Sequence, residues 1–147
     1  MPMKCCSHPD LNYVTGRLRR QDVKLTRPRR AVIAALHTQR RPLAIKEIFG
    51  ALRPGECDLA SVYRSIRALE SAGVVKAFEF GDGVQRYELL AEGDDGHHHH
   101  LVCTRCGCVT EIGECELREI ELRLAASSGF RAVTHRLEFF GVCPACQ

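Results

Sequence analysis

An α+β chain made of two unlike halves is predicted by three observations. Apolar residues recur at helical spacing between about residues 26 and 73, two strand-like runs then flank Gly81-Asp82-Gly83, and two CxxC pairs bracket the last third of the chain. Together they predict an N-terminal winged helix-turn-helix domain over residues 1–90 and a small C-terminal α+β dimerisation domain with structural zinc over residues 97–147. Residues 1–13 read as a flexible tail, and residues 84–96 as the end of the wing and the hinge between domains.

The first helix is signalled by Thr26 at its N-cap and Pro28 just inside, with Val32, Ile33 and Leu36 on one face. A second, at about residues 43–53, places Ile45, Ile48, Phe49 and Leu52 on a stripe that should be buried, and Pro54-Gly55 ends it. Asp58 can cap a third, with Leu59, Val62, Ile66 and Leu69 facing inward and Gly73 suited to its stop. Ser61, Arg64, Ser65 and Arg67 should then project outward, with Tyr63 at the margin. Val74–Phe80 and Val84–Leu90 complete the half as the two strands of a hairpin. Farther on, Leu117, Ile120 and Leu124 fall at helical spacing within Cys115–Ala126, and Ala132–Phe140 reads as the final strand.

Charge divides along the same line. Residues 1–73 hold 14 Lys or Arg against 6 Asp or Glu, whereas residues 74–147 hold 7 against 12, so a net charge of +3 conceals a basic half and an acidic one. A basic half suits a polyanion. In a winged helix-turn-helix the third helix enters the major groove of double-stranded DNA, where Arg64 and Arg67 can meet base edges and Ser61 and Tyr63 can meet phosphates. Lys24, Arg27, Arg29 and Arg30 would add charge against the backbone. No apolar run approaches a membrane span and no signal core opens the chain, which predicts a cytoplasmic protein with reduced thiols and no membrane partner.

Cys103-Thr104-Arg105-Cys106 and Cys143-Pro144-Ala145-Cys146 lie 36 residues apart and offer four thiolates, the donor set of a tetrahedral structural Zn2+. Just before the first pair comes Gly96-His97-His98-His99-His100. An internal run of this kind on a strand alternates its side chains, so His97 and His99 face one way while His98 and His100 face the other. One strand then serves two sites. Glu88, at the end of the hairpin, is the candidate partner for His98 and His100, and His135 in the final strand is the candidate partner for His97 and His99. An enzyme is not expected: no HExxH, and no HxE paired with PCxxC, sets a general base beside an open metal position. The competing reading is a zinc-stapled metal-buffering or protein-interaction module without specific DNA binding, which would account for the cysteines but not for the basic half.

KLTRPRR (24–30), ASVYRSIRALESAGVV (60–75), RYEL (86–89), HHHHLVCTRCG (97–107), THRLEFFGVC (134–143) and the closing CPAC together resemble the ferric uptake regulator family, over about residues 14–146. The resemblance implies a homodimeric, metal-dependent repressor of metal-uptake or metal-homeostasis genes that binds a palindromic operator. It matches Cys103, Cys106, Cys143 and Cys146 to structural zinc ligands, Glu88, His98 and His100 to a regulatory hinge site, His97, His99 and His135 to a second site, and Tyr63 and Arg64 to DNA contacts. Fe2+ or Zn2+ is the implied regulatory ion, with Mn2+ as a further candidate.

The chain also departs from the family pattern. Iron-type members carry a histidine ahead of the second amphipathic helix, where this chain reads Arg40-Arg41-Pro42-Leu43. Zinc-type members often place a cysteine near the wing's end, where this chain has Glu88-Leu89-Leu90. At the second site Arg118 stands where relatives place a glutamate, with Glu114, Cys115 and Glu119 nearby as open alternatives. Cys5, Cys6, Cys57, Cys108 and Cys115 are surplus to a four-cysteine staple.

Overall fold

The computed structural model describes residues 9–39, 41–93, 97–112 and 115–147. The chain divides into two compact units, Met1–Gly96 and His97–Gln147. Among the described residues no helix is long and apolar enough to cross a membrane.

The first unit runs α1 (Leu11–Arg20), α2 (Arg27–Gln39), β1 (Leu43–Ala44), α3 (Ile45–Ala51), α4 (Leu59–Ser71), β2 (Val75–Glu79) and β3 (Gln85–Leu89). Its strands form an antiparallel sheet in the order β1-β3-β2, with Leu43 opposite Tyr87 and Glu79 opposite Gln85 at the turn end of the wing. The core is a single cluster that includes Val14, Leu18, Val32, Leu36, Ile48, Val62, Ile66, Leu69 and Val75. Burying such side chains contributes about 1.5–3 kcal/mol each relative to exposure, which is what holds short helices that would not form alone.

The helix α1 begins inside the stretch read as tail. Asp10 caps it by accepting from the Asn12 N–H at 2.8 Å, and Val14 and Leu18, one turn apart, are buried. Two apolar positions among arginines and a glycine make too thin a stripe to stand out in the sequence. Two further expectations need correction. Phe49 is 41% exposed and Leu59 40% exposed, because α3 is only seven residues long and Leu59 sits at the very start of α4. Ser65, expected to face outward, is buried at 4%, next to Ile66 on the packed face of α4.

The stop of α4 is a six-residue closure: the Gly73 N–H donates to the Glu70 carbonyl at 2.8 Å and the Val74 N–H to the Leu69 carbonyl at 3.1 Å. Gly73 has φ +64, where a side chain is strained. Arg17 of α1 reaches this end, donating from Nε to the Ala72 carbonyl at 3.1 Å. The first helix thereby caps the last carbonyls of the third helix of the helix-turn-helix.

The second unit runs β4 (His99–Cys103), β5 (Val109–Ile112), α5 (Arg118–Ser128) and β6 (Glu138–Gly141), ending in a 3-10 turn at Pro144–Cys146. The sheet order is β5-β4-β6, with β4 antiparallel to β5 and parallel to β6. The final strand is shorter than Ala132–Phe140. Residues 129–137 are irregular, beginning with Gly129 in the left-handed region and including Ala132 at φ +53, so His135 comes from a loop rather than a strand. The face of α5 is not buried within this unit. Ile120, Leu122 and Leu124 are exposed, as are Phe130, Phe139 and Phe140.

Replacing Gly73 by Ala should lower the unfolding free energy in urea melts by about 1–2 kcal/mol, the cost of a left-handed residue with a Cβ. An added Cβ would also lie 2.6 Å from Nη2 of Arg17, a side-chain end that can move. Adding Arg17→Ala to Gly73→Ala should therefore fail to restore stability; recovery in the double variant would assign the cost to the contact instead.

Candidate metal centres and nucleic-acid face

The exposed face of α4 carries Tyr63, Arg64 and Arg67, with Leu59 at its start. The Asp58 carboxylate accepts from the Ser61 N–H at 2.6 Å, and Arg64 Nη2 donates to Ser61 Oγ at 2.9 Å, so the first turn of α4 is tied while the guanidinium stays exposed. Asp58 is held below the usual carboxylate range by its bonds to Ser61. Tyr63 is 48% exposed, an aromatic ring left in water beside two cations. Cations of this kind suit phosphate oxygens and base edges in the groove of a duplex.

Lys24 and Arg27 are exposed at the start of α2, and Arg29 donates from Nη1 to the Lys24 carbonyl. The first turn of α2 has no acidic residue, so cations crowd the positive end of the helix dipole. That placement opposes helix stability and favours a bound anion. In the wing, Arg86 grips Asp82 with two contacts of 2.7 and 3.0 Å. This pair draws the Asp82 carboxyl down to about 2.

In the second unit the four cysteines converge. The parallel pairing of β4 with β6 sets Cys103 opposite Gly141, and the Thr104 N–H donates to the Gly141 carbonyl at 2.8 Å. Gly107, at φ +71, closes the turn of the first CxxC with its N–H on the Cys103 carbonyl at 2.9 Å. Sγ of Cys106 and Sγ of Cys143 are 3.7 Å apart, and all four sulfurs lie within 4.8 Å of one another without a disulfide. Four sulfurs at about 2.3 Å from one ion would be about 3.8 Å apart, so the spacing fits tetrahedral zinc. Backbone N–H groups of Cys106 and Cys143 pull the Cys103 thiol down to about 6, while hydrogen bonds to the sulfurs of Cys106 and Cys143 keep the proton on Cys146 and push its thiol up to about 12. One thiolate is ready and a second is opposed by its neighbours, a conflict that a divalent cation resolves.

The strand is shorter than the histidine run, since His97 and His98 precede β4, but the rings still pair alternately. The rings of His98 and His100 lie on one side with centroids 5.0 Å apart, and those of His97 and His99 lie on the other at 5.5 Å. His100 is fully buried, with Nδ1 3.4 Å from Oε2 of Glu138. Glu88, in the first unit, is buried on β3 opposite Lys76.

His97 and His99 are joined by His135, whose Nε2 lies 3.2 Å from Nε2 of His99. Two further side chains adjoin them: Cys115, one of the three alternatives open in the sequence, and Glu121, which the sequence did not single out. Cys115 brings its sulfur to 3.4 Å from Nε2 of His135, and Glu121 accepts from Nδ1 of His135 at 2.8 Å. His97, His99, Cys115 and His135 form a group of donor atoms within 4.8 Å of one another. Burial lowers the pKa of His99, favouring its neutral form. Arg118 and Glu119 are exposed at the start of α5 and take no part in the group, and Glu114 lies outside the described residues. Glu121 could have been suspected from its spacing on α5, but the loop carrying His135 has no sequence signature.

The positions where a further histidine was absent are occupied structurally. Pro42 is fully buried, and Arg41 pairs with Glu47 at 2.9 Å. The same Glu47 accepts the Ala44 N–H at 2.8 Å and so starts α3. Arg40, Cys5, Cys6 and His8 lie outside the described residues.

A winged helix with an exposed cationic reading face, followed by a unit of clustered thiols and imidazoles, defines a metal-responsive DNA-binding transcriptional regulator. The chain belongs to the ferric uptake regulator family, whose sequence pattern matches residues 20–140. It is 35% identical over 140 residues to the ferric uptake regulation protein of Bacillus subtilis (strain 168), covering 93% of this chain and 94% of that protein. The peroxide-responsive repressor PerR of Staphylococcus aureus (strain USA300) is 30% identical over 140 residues, covering 94% of this chain and 92% of PerR. Among solved structures, a zinc uptake regulator complexed with zinc and DNA superposes with a TM-score of 0.73 at 26% identity, covering 92% of this chain and 91% of that one. Members of the family bind DNA operators and dimerise, and they are transcription regulators rather than enzymes.

The Arg86–Asp82 pair makes a pH prediction. A depressed carboxyl gives the wing its ion pair at every pH above the ordinary value of 3.8 and loses it only as pH falls toward about 2. Carbon-detected NMR titration of Asp82 should show a midpoint near 2 in the native chain and a clearly higher one in Arg86→Gln, still below the ordinary 3.8 because the Val84 N–H keeps donating to the carboxylate.

Proposed function

We propose that this chain is a cytoplasmic, homodimeric repressor of metal-uptake or metal-homeostasis genes, which binds a palindromic operator when its regulatory site is loaded. The observation that carries the reading is the pairing of alternate rings at the start of β4, His98 with His100 and His97 with His99, immediately ahead of the first CxxC in the chain. In this reading Cys103, Cys106, Cys143 and Cys146 hold structural Zn2+, Glu88, His98 and His100 form the regulatory site, and His97, His99 and His135 belong to a second site. The regulatory ion is Fe2+ or Zn2+, with Mn2+ as the third candidate.

Zinc at the four thiolates would supply a tetrahedral staple for a unit with little buried apolar surface. Exposed Ile120, Leu122, Leu124, Phe139 and Phe140 support a homodimer formed through this unit, since so many large apolar side chains left in water in so small a unit favour a partner. Glu88 comes from the DNA-binding unit and the two imidazoles from the C-terminal unit. Sharing one divalent cation, these three side chains would raise the fraction of dimers whose two α4 helices match successive major-groove faces.

The deciding experiment is a binding titration of the zinc-stapled, otherwise metal-free dimer on a palindromic duplex recovered by in vitro selection, with Fe2+, Zn2+ and Mn2+ added separately. At least one ion should tighten binding tenfold or more, and His98→Ala combined with His100→Ala should remove that response. A metal response surviving in the double variant would overturn the regulatory assignment.

The DNA face has its own test. Arg64→Ala should cost about 1–3 kcal/mol on the selected duplex and little on a scrambled one. Lys24→Ala should weaken both and reduce the salt slope by about 1. Equal losses on both duplexes for Arg64→Ala would move it from base reading to backbone contact.

A further inference from the structure

We propose that Cys115 completes the second metal site, making it a closed site of three imidazoles and one thiolate that takes Zn2+ and rejects Mn2+. The inference rests on the proposed second site but not on operator binding.

The tautomers can be deduced from the partners. Nδ1 of His99 faces the Leu137 carbonyl at 3.0 Å and Nδ1 of His135 faces the Glu121 carboxylate at 2.8 Å; both partners are acceptors, so both Nδ1 atoms carry protons. In the neutral rings the two Nε2 atoms therefore present lone pairs to each other at 3.2 Å. Two lone pairs at that distance repel unless a proton or a metal ion lies between them. A metal ion suits the other distances. Imidazole nitrogens at about 2.0–2.1 Å and a sulfur at about 2.3 Å from one tetrahedral ion would be about 3.3 Å apart for N···N and about 3.6 Å for N···S. The observed separations are 3.2 Å between the two Nε2 atoms and 3.4 Å from Cys115 Sγ to His135 Nε2. His97 lies against both rings, with centroids 5.5 Å from His99 and 4.8 Å from His135, and supplies the fourth donor within the same 4.8 Å group.

The donor chemistry then sets the ion. One soft thiolate and three imidazoles suit tetrahedral Zn2+, whereas Mn2+ prefers carboxylate, carbonyl and water oxygens in six-coordination. Coordination releases the Cys115 thiol proton to solvent and leaves the rings neutral. Glu121 is a positioning residue, since its carboxylate holds His135 in the tautomer that points Nε2 at the ion. Arg118, at the position where relatives place an acidic ligand, is exposed, so the sulfur takes over a role that an oxygen would otherwise fill.

The test uses the full chain with Zn2+ retained at the four-cysteine set, confirmed by metal analysis, and Co2+ as the spectroscopic ion. One equivalent of Co2+ should give the strong visible bands of four-coordination and a near-ultraviolet sulfur-to-cobalt band. His98→Ala with His100→Ala should keep both features, and Cys115→Ser should lose the sulfur band while retaining its four-cysteine zinc. Glu121→Ala should keep the band but weaken Co2+ binding by about 10–100-fold. Added Zn2+ should displace the Co2+ and equimolar Mn2+ should not. X-ray absorption at the cobalt edge of the unsubstituted protein should fit three nitrogens and one sulfur, which keeps the test independent of how any variant folds. A nitrogen-and-oxygen shell, a sulfur band unchanged in Cys115→Ser, or displacement by Mn2+ would overturn the proposal. Loss of operator binding with the cobalt spectra intact would count against the regulatory reading alone.

Discussion

The parallel pairing of β4 with β6 is the constraint on which the C-terminal unit depends. Its register sets Cys103 beside Gly141 and so brings the first CxxC turn to the one that closes the chain. The same pairing places His100 opposite Glu138 and leaves Leu137 positioned for its carbonyl to accept from His99. A one-residue slip would exchange the two faces of β4, moving His97 and His99 to where His98 and His100 now lie. Sheet register thus decides which side chains share each candidate metal site. The sheet buries too little to enforce that register unaided, which makes four clustered thiols part of the folding problem as well as of the chemistry.

The first unit solves a different problem. Its core is apolar and continuous, so its helices need no staple, and its polar contacts do local work at helix ends. Asp58 starts α4, Glu47 starts α3, and Arg17 closes the far end of α4 across the gap from α1. The helix proposed to read DNA is therefore fixed at both ends by groups away from its exposed face. Tyr63, Arg64 and Arg67 can be presented to a duplex without the helix losing its support.

Features governed by local period were legible in the sequence. The helical stripe of Val62, Ile66 and Leu69, the hairpin around Gly81-Asp82-Gly83 and the alternation of four histidines all follow from spacing along one element. What was not legible came from between elements. Ser65 reads as an outward polar residue until the packing of α4 encloses it, and α1 has only Val14 and Leu18 to announce it. His135 was assigned to a strand although it stands in a loop, and its meeting with Cys115 and Glu121 depends on a chain path that no periodicity encodes.

The departures from the family pattern are best understood as exchanges of function. Arg41-Pro42 replaces a would-be ligand with a buried ring and an ion pair that starts α3, so that region contributes to folding what it withholds from coordination. Arg118 likewise offers no donor to the proposed second site, and the fourth member of the group beside the three imidazoles is a sulfur rather than an oxygen. An oxygen donor would leave that site open to several divalent ions, whereas a thiolate narrows the choice through softness and geometry together. On the proposed assignments, two changes that look like losses in a linear comparison act in opposite directions: one removes a donor, and the other would change which ions the remaining donors favour.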